Sequence, residues 1–93
     1  MKHYIQFSPA AFKDLQALPR NLVESIRHKI DSMQEGLPSS VKRLHRFDIG
    51  YRLRLGDYRI LFDLAGTEII IRRILHRRHA YAAAYGKKRK GQH

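Results

Sequence analysis

The stretch Tyr51-Arg52-Leu53-Arg54-Leu55-Gly56-Asp57-Tyr58-Arg59-Ile60-Leu61-Phe62 decides how this 93-residue chain folds. Tyr51, Leu53 and Leu55 alternate with Arg52 and Arg54, the period of a strand with one buried face. Gly56-Asp57 interrupts the pattern, and a second apolar run opens at Tyr58. Two intervening residues with glycine first suit a tight hairpin of the type II′ kind. That turn fixes a register: Leu55 faces Tyr58, Leu53 faces Ile60 and Tyr51 faces Phe62, all on one side of the sheet. The other side then carries Arg54 directly across from Arg59, with Arg52 beside them.

Toward the C-terminus, Ala65-Gly66 marks a second turn, and Thr67 to Leu75 forms a third, β-branched strand. With a two-residue loop at Ala65-Gly66, Arg59 also faces Arg72. A one-residue change in that loop puts Arg73 there instead. Arg77 to Tyr85 is alanine-rich and is expected to form a short helix, and residues 86–93 a mobile basic tail. Toward the N-terminus, Gly36 to Ser40 is a turn-rich connection. Before it, Val23, Ile26, Ile30 and Met33 lie on one helical stripe that stops at Gly36. His28 falls off that stripe and is expected at the surface. An earlier helix starts at Ser8-Pro9, carries Phe12, Leu15 and Leu18 at helical spacing, and ends at Pro19. His3 to Phe7 is a short strand. The order of one strand, two helices and three strands predicts an α+β fold. Its two N-terminal helices pack on one face of a mostly antiparallel sheet of about four strands. Residues 1–85 form a single domain.

The net charge is +11. It is unevenly spread: residues 1–41 hold five Lys/Arg against four Asp/Glu, whereas residues 42–93 hold fourteen against four. Such asymmetry implies a polyanionic partner for the second half. Like charges placed opposite each other destabilise a sheet, and arginine cannot relieve them by losing a proton. A row built for an anion accounts for them, since the planar guanidinium fork matches phosphate. Arg52, Arg54, Arg72 and Arg73 are the candidate contacts on the sheet. His76 and Arg78 at its end, and Lys87 and Lys88 in the tail, join them. The chain has no cysteine, which excludes disulfides, thiolate zinc sites and a cysteine nucleophile. His76 and His79 lack an acidic third ligand, so no metal is expected. No run approaches the roughly 20 apolar residues that span a bilayer, and Met1 to Phe7 lack the long apolar run expected of a signal peptide. A cytoplasmic location without a membrane partner is expected.

The stretch from Tyr51 to Phe62, together with Ile74-Leu75-His76-Arg77-Arg78-His79-Ala80-Tyr81, resembles the RelE/ParE toxin superfamily. Phe7-Ser8-Pro9-Ala10-Ala11, Leu18-Pro19 and Lys42-Arg43-Leu44 fit the same pattern, so the resemblance runs from residue 4 to about residue 85. It implies a toxin of a type II toxin–antitoxin system, neutralised in a hetero-oligomer by a cognate antitoxin that wraps around it. RelE-like members enter the ribosomal A site, beside 16S rRNA, and cleave mRNA there. ParE-like members poison DNA gyrase. By position, Arg52, Arg54, Arg59, Arg77 and Tyr81 correspond to the functional set of the RelE-like branch.

Cleavage without metal or cofactor would run by attack of a 2′-hydroxyl on the adjacent phosphate, with charge stabilised on the phosphorane. Arg59 is the choice for holding that phosphate, with Arg77 assisting and Tyr81 stacking on a base. RelE carries lysines where this chain has Arg52 and Arg54, and arginine is a poor base. Histidine is the usual alternative near neutral pH. His79 is preferred as the base and His76 comes next, with His45 and Asp48 as lower candidates. The expected function is a ribosome-dependent mRNA endonuclease. The alternatives are a ParE-like gyrase inhibitor and an inactive RNA-binding relative.

Overall fold

The hairpin forms in the expected register, and the helices pack on its apolar side. A computed structural model describes residues 2–45 and 48–80 of the chain. Its elements are β1 (Tyr4–Phe7), α1 (Pro9–Gln16), α2 (Arg20–Ser32), β2 (Val41–Arg43), β3 (Tyr51–Leu55), β4 (Tyr58–Ala65) and β5 (Glu68–His76). The strands form one sheet ordered β1-β5-β4-β3-β2. Its neighbours are antiparallel except β1 and β5, which run parallel. Tyr51↔Phe62, Leu53↔Ile60, Arg54↔Arg59 and Leu55↔Tyr58 pair as the turn dictates.

Leu53, Ile60, Phe62, Ile69, Ile71 and Ile74 lie buried against Ala11, Ile26, Ile30 and Met33 of the helical layer. Each of the Leu, Ile, Phe and Met side chains contributes about 1.5–3 kcal/mol by leaving water. Tyr51 stacks on its cross-strand partner Phe62, ring centroids 5.4 Å apart. Ile26 and Ile30 of α2 and Met33 at its C-cap are fully buried, and His28 is exposed as its position on the helix requires. Helix α1 turns Ala11 to the core and leaves Phe12 57% exposed. Ser8 caps α1 by accepting the Ala11 N–H at 3.1 Å, and its hydroxyl donates to the Arg72 carbonyl at 3.0 Å. One side chain thereby fastens the start of α1 to β5.

Two expectations are corrected. The sheet has five strands, because Val41–Arg43 pairs along β3 as a short edge strand. Arg59 also faces neither Arg72 nor Arg73: its partner on β5 is Leu75. The tight loop is Gly66-Thr67, with Ala65 paired to Glu68 and Gly66 at φ +62°. That left-handed conformation suits glycine. The register shifts again between Leu61 and Phe62, which face Arg73 and Ile71, so Arg72 is the extra residue of a β-bulge. The sequence requires this. Ile71 and Ile74 are an odd number of residues apart and can both face the core only if one residue between them is unpaired.

Strand β1 ends at Phe7, paired with Ile71. Beyond it, α1 covers the edge of β5. Asp14 accepts the Ile74 N–H at 2.9 Å and holds the Arg73 guanidinium through Nε at 2.7 Å and Nη2 at 3.1 Å. The Asp14 hydrogen bond raises the Arg73 pKa above its ordinary value, outweighing partial burial, and the carboxylate's charge adds to the rise. Residues 77–80 are helical. The remainder of the expected C-terminal helix, the 86–93 tail and the site candidates Tyr81, Lys87 and Lys88 lie outside the described residues. Among the described residues, no helix is long and apolar enough to cross a membrane.

Replacing Asp14 with alanine removes the acceptor of an edge amide and leaves Arg73 without its carboxylate. It should lower the unfolding free energy by about 2–3 kcal/mol, read from urea denaturation at neutral pH. A loss below about 0.5 kcal/mol, the range of ordinary surface substitutions, would contradict the fastening role.

Candidate nucleic-acid interface

The sheet face turned away from the helices is organised in cross-strand rows. One row runs Arg54, Arg59, Leu75, and the next runs Lys42, Arg52, Leu61, Arg73. Leu61 is fully buried on this face, because Leu44 and Ile49 from the β2–β3 connection pack over it. Asp63 anchors that connection by accepting the Gly50 N–H at 2.7 Å, and pairs with Arg72 at 2.7 Å.

The arginines divide by what they hold. Arg72 and Arg73 are engaged with Asp63 and Asp14. They belong to the scaffold as much as to any anion site. Arg54 is exposed, Arg52 is half-buried, and neither forms an ion pair among the described residues. The Arg52 Nε is buried without a hydrogen-bond partner among them. Arg59 is only 8% exposed, and its Nη1 donates to the carbonyls of Gly56 at 2.8 Å and Tyr58 at 2.9 Å. It clamps the hairpin turn from below while placing a fixed positive charge next to Arg54. The exposed Lys42 belongs with this set. Sequence reasoning passed over it because β2 was not foreseen, although Val41-Lys42-Arg43 carries an apolar residue followed by cations.

At the turn of the hairpin, the Arg77 N–H donates to the Asp57 carbonyl at 2.7 Å. The Arg77 Nε lies 4.0 Å from the Asp57 carboxylate, with both side chains mostly exposed. The structure thus brings to Arg77 the carboxylate of Asp57, a residue the sequence reading treated only as turn chemistry. Arg78 and His79 are exposed on the helical residues that follow. His76 pairs with Tyr58, and the two rings meet edge to face with centroids 5.4 Å apart. Alternation puts both with Ile60 and Ile74 on the helix side, away from Arg59. His45 and Asp48 are exposed in the β2–β3 connection. A cleft of about 490 Å³ opens near them, lined by Ser8, Pro9, Asp48, Ile49, Arg72 and Arg73. It does not include Arg54 or Arg59. Among the described residues, no three His, Cys, Asp or Glu side chains are grouped to hold a metal ion.

A two-helix layer on one side of this sheet order, with a basic hairpin on the other, defines a small α+β domain. Residues 5–81 match the family model described as the ParE toxin of the type II toxin–antitoxin system parDE. Toxin RelE3 of Methanocaldococcus jannaschii is 32% identical over 82 residues, covering 83% of this chain and 93% of its own. The antitoxin–toxin complex RelB–RelE from Methanococcus jannaschii contains a chain that superposes with a TM-score of 0.65 at 31% identity, covering 83% of this chain and 95% of that one. A variant of Escherichia coli toxin RelE in the free state superposes with a TM-score of 0.74 over 97% of both chains; at 16% identity it supports the fold alone. The chain belongs to the RelE/ParE toxin superfamily and is a RelE-like toxin of the type II class.

Because Arg59 is bonded to the turn carbonyls, removing it has a structural cost. Arg59→Ala should lower stability by about 1–2 kcal/mol, measured by urea unfolding. An alanine variant as stable as the parent would show that the clamp contributes nothing.

Proposed function

We propose that this toxin is a ribosome-dependent mRNA endonuclease held in check by a cognate antitoxin. The observation that carries the proposal is Arg54 lying directly opposite Arg59, with Arg52 and Lys42 in the adjoining row on one side of the hairpin. An RNA backbone laid across these rows relieves their mutual repulsion, and guanidinium groups bind phosphate through paired hydrogen bonds. Arg54 and Arg52 take the phosphates. Arg59 stabilises phosphorane charge from a preorganised position, the arrangement that makes electrostatic catalysis effective. Arg77 adds charge from the strand end. As the 2′ oxygen bonds to phosphorus, His79, on the exposed helical turn, takes its proton, with Asp57 as the carboxylate alternative; the bond to the 5′ oxygen breaks, and that oxygen takes a proton from water. Tyr81 stacks on a base, while Arg78, Lys87 and Lys88 extend the basic track. Arg72 and Arg73, already holding carboxylates, contribute to the field more than to direct contact.

The antitoxin reading is supported by the RelB–RelE complex at 31% identity. It is supported also by an apolar groove of about 400 Å³ between α1 and α2, lined by Phe12, Leu15, Leu18 and Val23, with Arg20, Glu24 and Arg27 beside them. A partner with an apolar stripe edged by charges of both signs would complement it.

The match to the ParE family model favours a second reading, a gyrase poison without a nuclease step. One experiment separates the two. After induction, mRNA 5′ ends are mapped and gyrase supercoiling is assayed in the same cells. Cuts phased to codons are expected. Gyrase–DNA cleavage complexes without such cuts would establish the second reading instead.

The phosphate assignment has its own test. With a short single-stranded RNA, Arg54→Ala should reduce the slope of log affinity against log salt by about 0.7, the value for one phosphate contact. An unchanged slope would remove Arg54 from the interface.

A further inference from the structure

His76 stands where β5 ends and the helical residues 77–80 begin. The first amides of a helix have no acceptor within it, and a side chain at the preceding position commonly supplies one. Here the Arg78 N–H donates to Nδ1 of His76 at 3.2 Å. The acceptor lies two residues before the donor, which is the geometry of a side-chain cap. A ring nitrogen accepts a hydrogen bond only when it carries no proton. The contact therefore selects a neutral imidazole with its hydrogen on Nε2.

Neighbouring contacts hold the ring and the turn in place. Tyr58, the cross-strand partner, meets the imidazole edge to face with planes 77° apart. The preceding amide, that of Arg77, is bonded to the Asp57 carbonyl at 2.7 Å. Two consecutive amides of the C-terminal segment are thus tied down, one by the hairpin turn and one by a titratable ring. The titratable and charged groups around the ring are Tyr58 and Asp57 from the hairpin, and Arg77, Arg78 and His79 from its own segment. A proton on Nδ1 would remove the acceptor, and the added charge would sit at a helix N-terminus among arginines, where cations are disfavoured.

We infer that His76 is a positioning residue: its neutral ring caps the helical turn 77–80 and so holds Arg77 and Arg78 in place. The inference rests on the RNA reading only for what Arg77 does once it is placed.

The test uses the full chain. Solvent exchange of the Arg78 amide is followed by NMR and expressed as protection relative to an unstructured peptide at the same pH. His76→Ala should lower that protection about five-fold relative to the parent, the scale of losing one cap. His76→Asn, whose amide oxygen can accept in place of Nδ1, should restore it. Protection that survives in His76→Ala, or that His76→Asn does not restore, overturns the proposal. Affinity for a short single-stranded RNA should likewise drop in His76→Ala and return in His76→Asn. If protection behaves as stated and RNA affinity does not respond, the cap stands and the assignment of Arg77 to RNA falls.

Discussion

The β3–β4 hairpin cannot bury its apolar residues without bringing its cations together. Tyr51, Leu53 and Leu55 on one strand and Tyr58, Ile60 and Phe62 on the other meet in a single register. That register leaves Arg54 and Arg59 facing each other on the reverse side. A slip by one residue would turn the arginines into the core and the aliphatic residues out, so the basic face and the hydrophobic core are two consequences of one pairing. The cost of opposed like charges, a fraction of a kcal/mol to about 1 kcal/mol, is small beside the burial of Leu53, Ile60 and Phe62. The fold can therefore carry a cationic surface at little cost in stability.

Carboxylates then sort the arginines. Asp14 takes Arg73 and with it an edge amide, locking α1 to β5. Asp63 takes Arg72 and a loop amide, holding the β2–β3 connection over Leu61. In both cases the acidic residue closes part of the scaffold that backbone pairing leaves open. The exposed Arg54, the half-buried Arg52 and the exposed Lys42 form no ion pair among the described residues. Arg59 lies between these groups, a buried cation that secures the turn beneath the surface it helps to charge. At the far end of β5, the same hairpin turn receives Arg77, so the basic hairpin and the basic C-terminal segment share one junction.

Much of this was legible before any coordinates. Strict alternation around Gly56-Asp57 specified the hairpin and its arginine pair, and the stripe of Ile26, Ile30 and Met33 specified the packed face of α2. Other features depend on contacts between distant segments. Strand β2 has three residues, two of them cationic, and acquires its identity only from pairing with β3. The bulge at Arg72 was implicit in the spacing of Ile71 and Ile74, but a simple two-residue loop conceals it. Because the bulge sets which residues share a face, it also placed His76 beside Tyr58 and not beside Arg59. That the Arg59 guanidinium would turn onto main-chain carbonyls, and that Asp14 would reach Arg73, follows from tertiary geometry that no periodicity encodes.

The central claim is that RNA lies across the outer side of the β3–β4 hairpin. Side-chain Nε–H signals of Arg52 and Arg54, followed by NMR while a short single-stranded RNA is added, test it most directly. The account predicts that both move together with the backbone amide of Lys42, while the amides of α2 stay where they are. Changes confined to α1 and α2, with the two arginine signals unmoved, would contradict it.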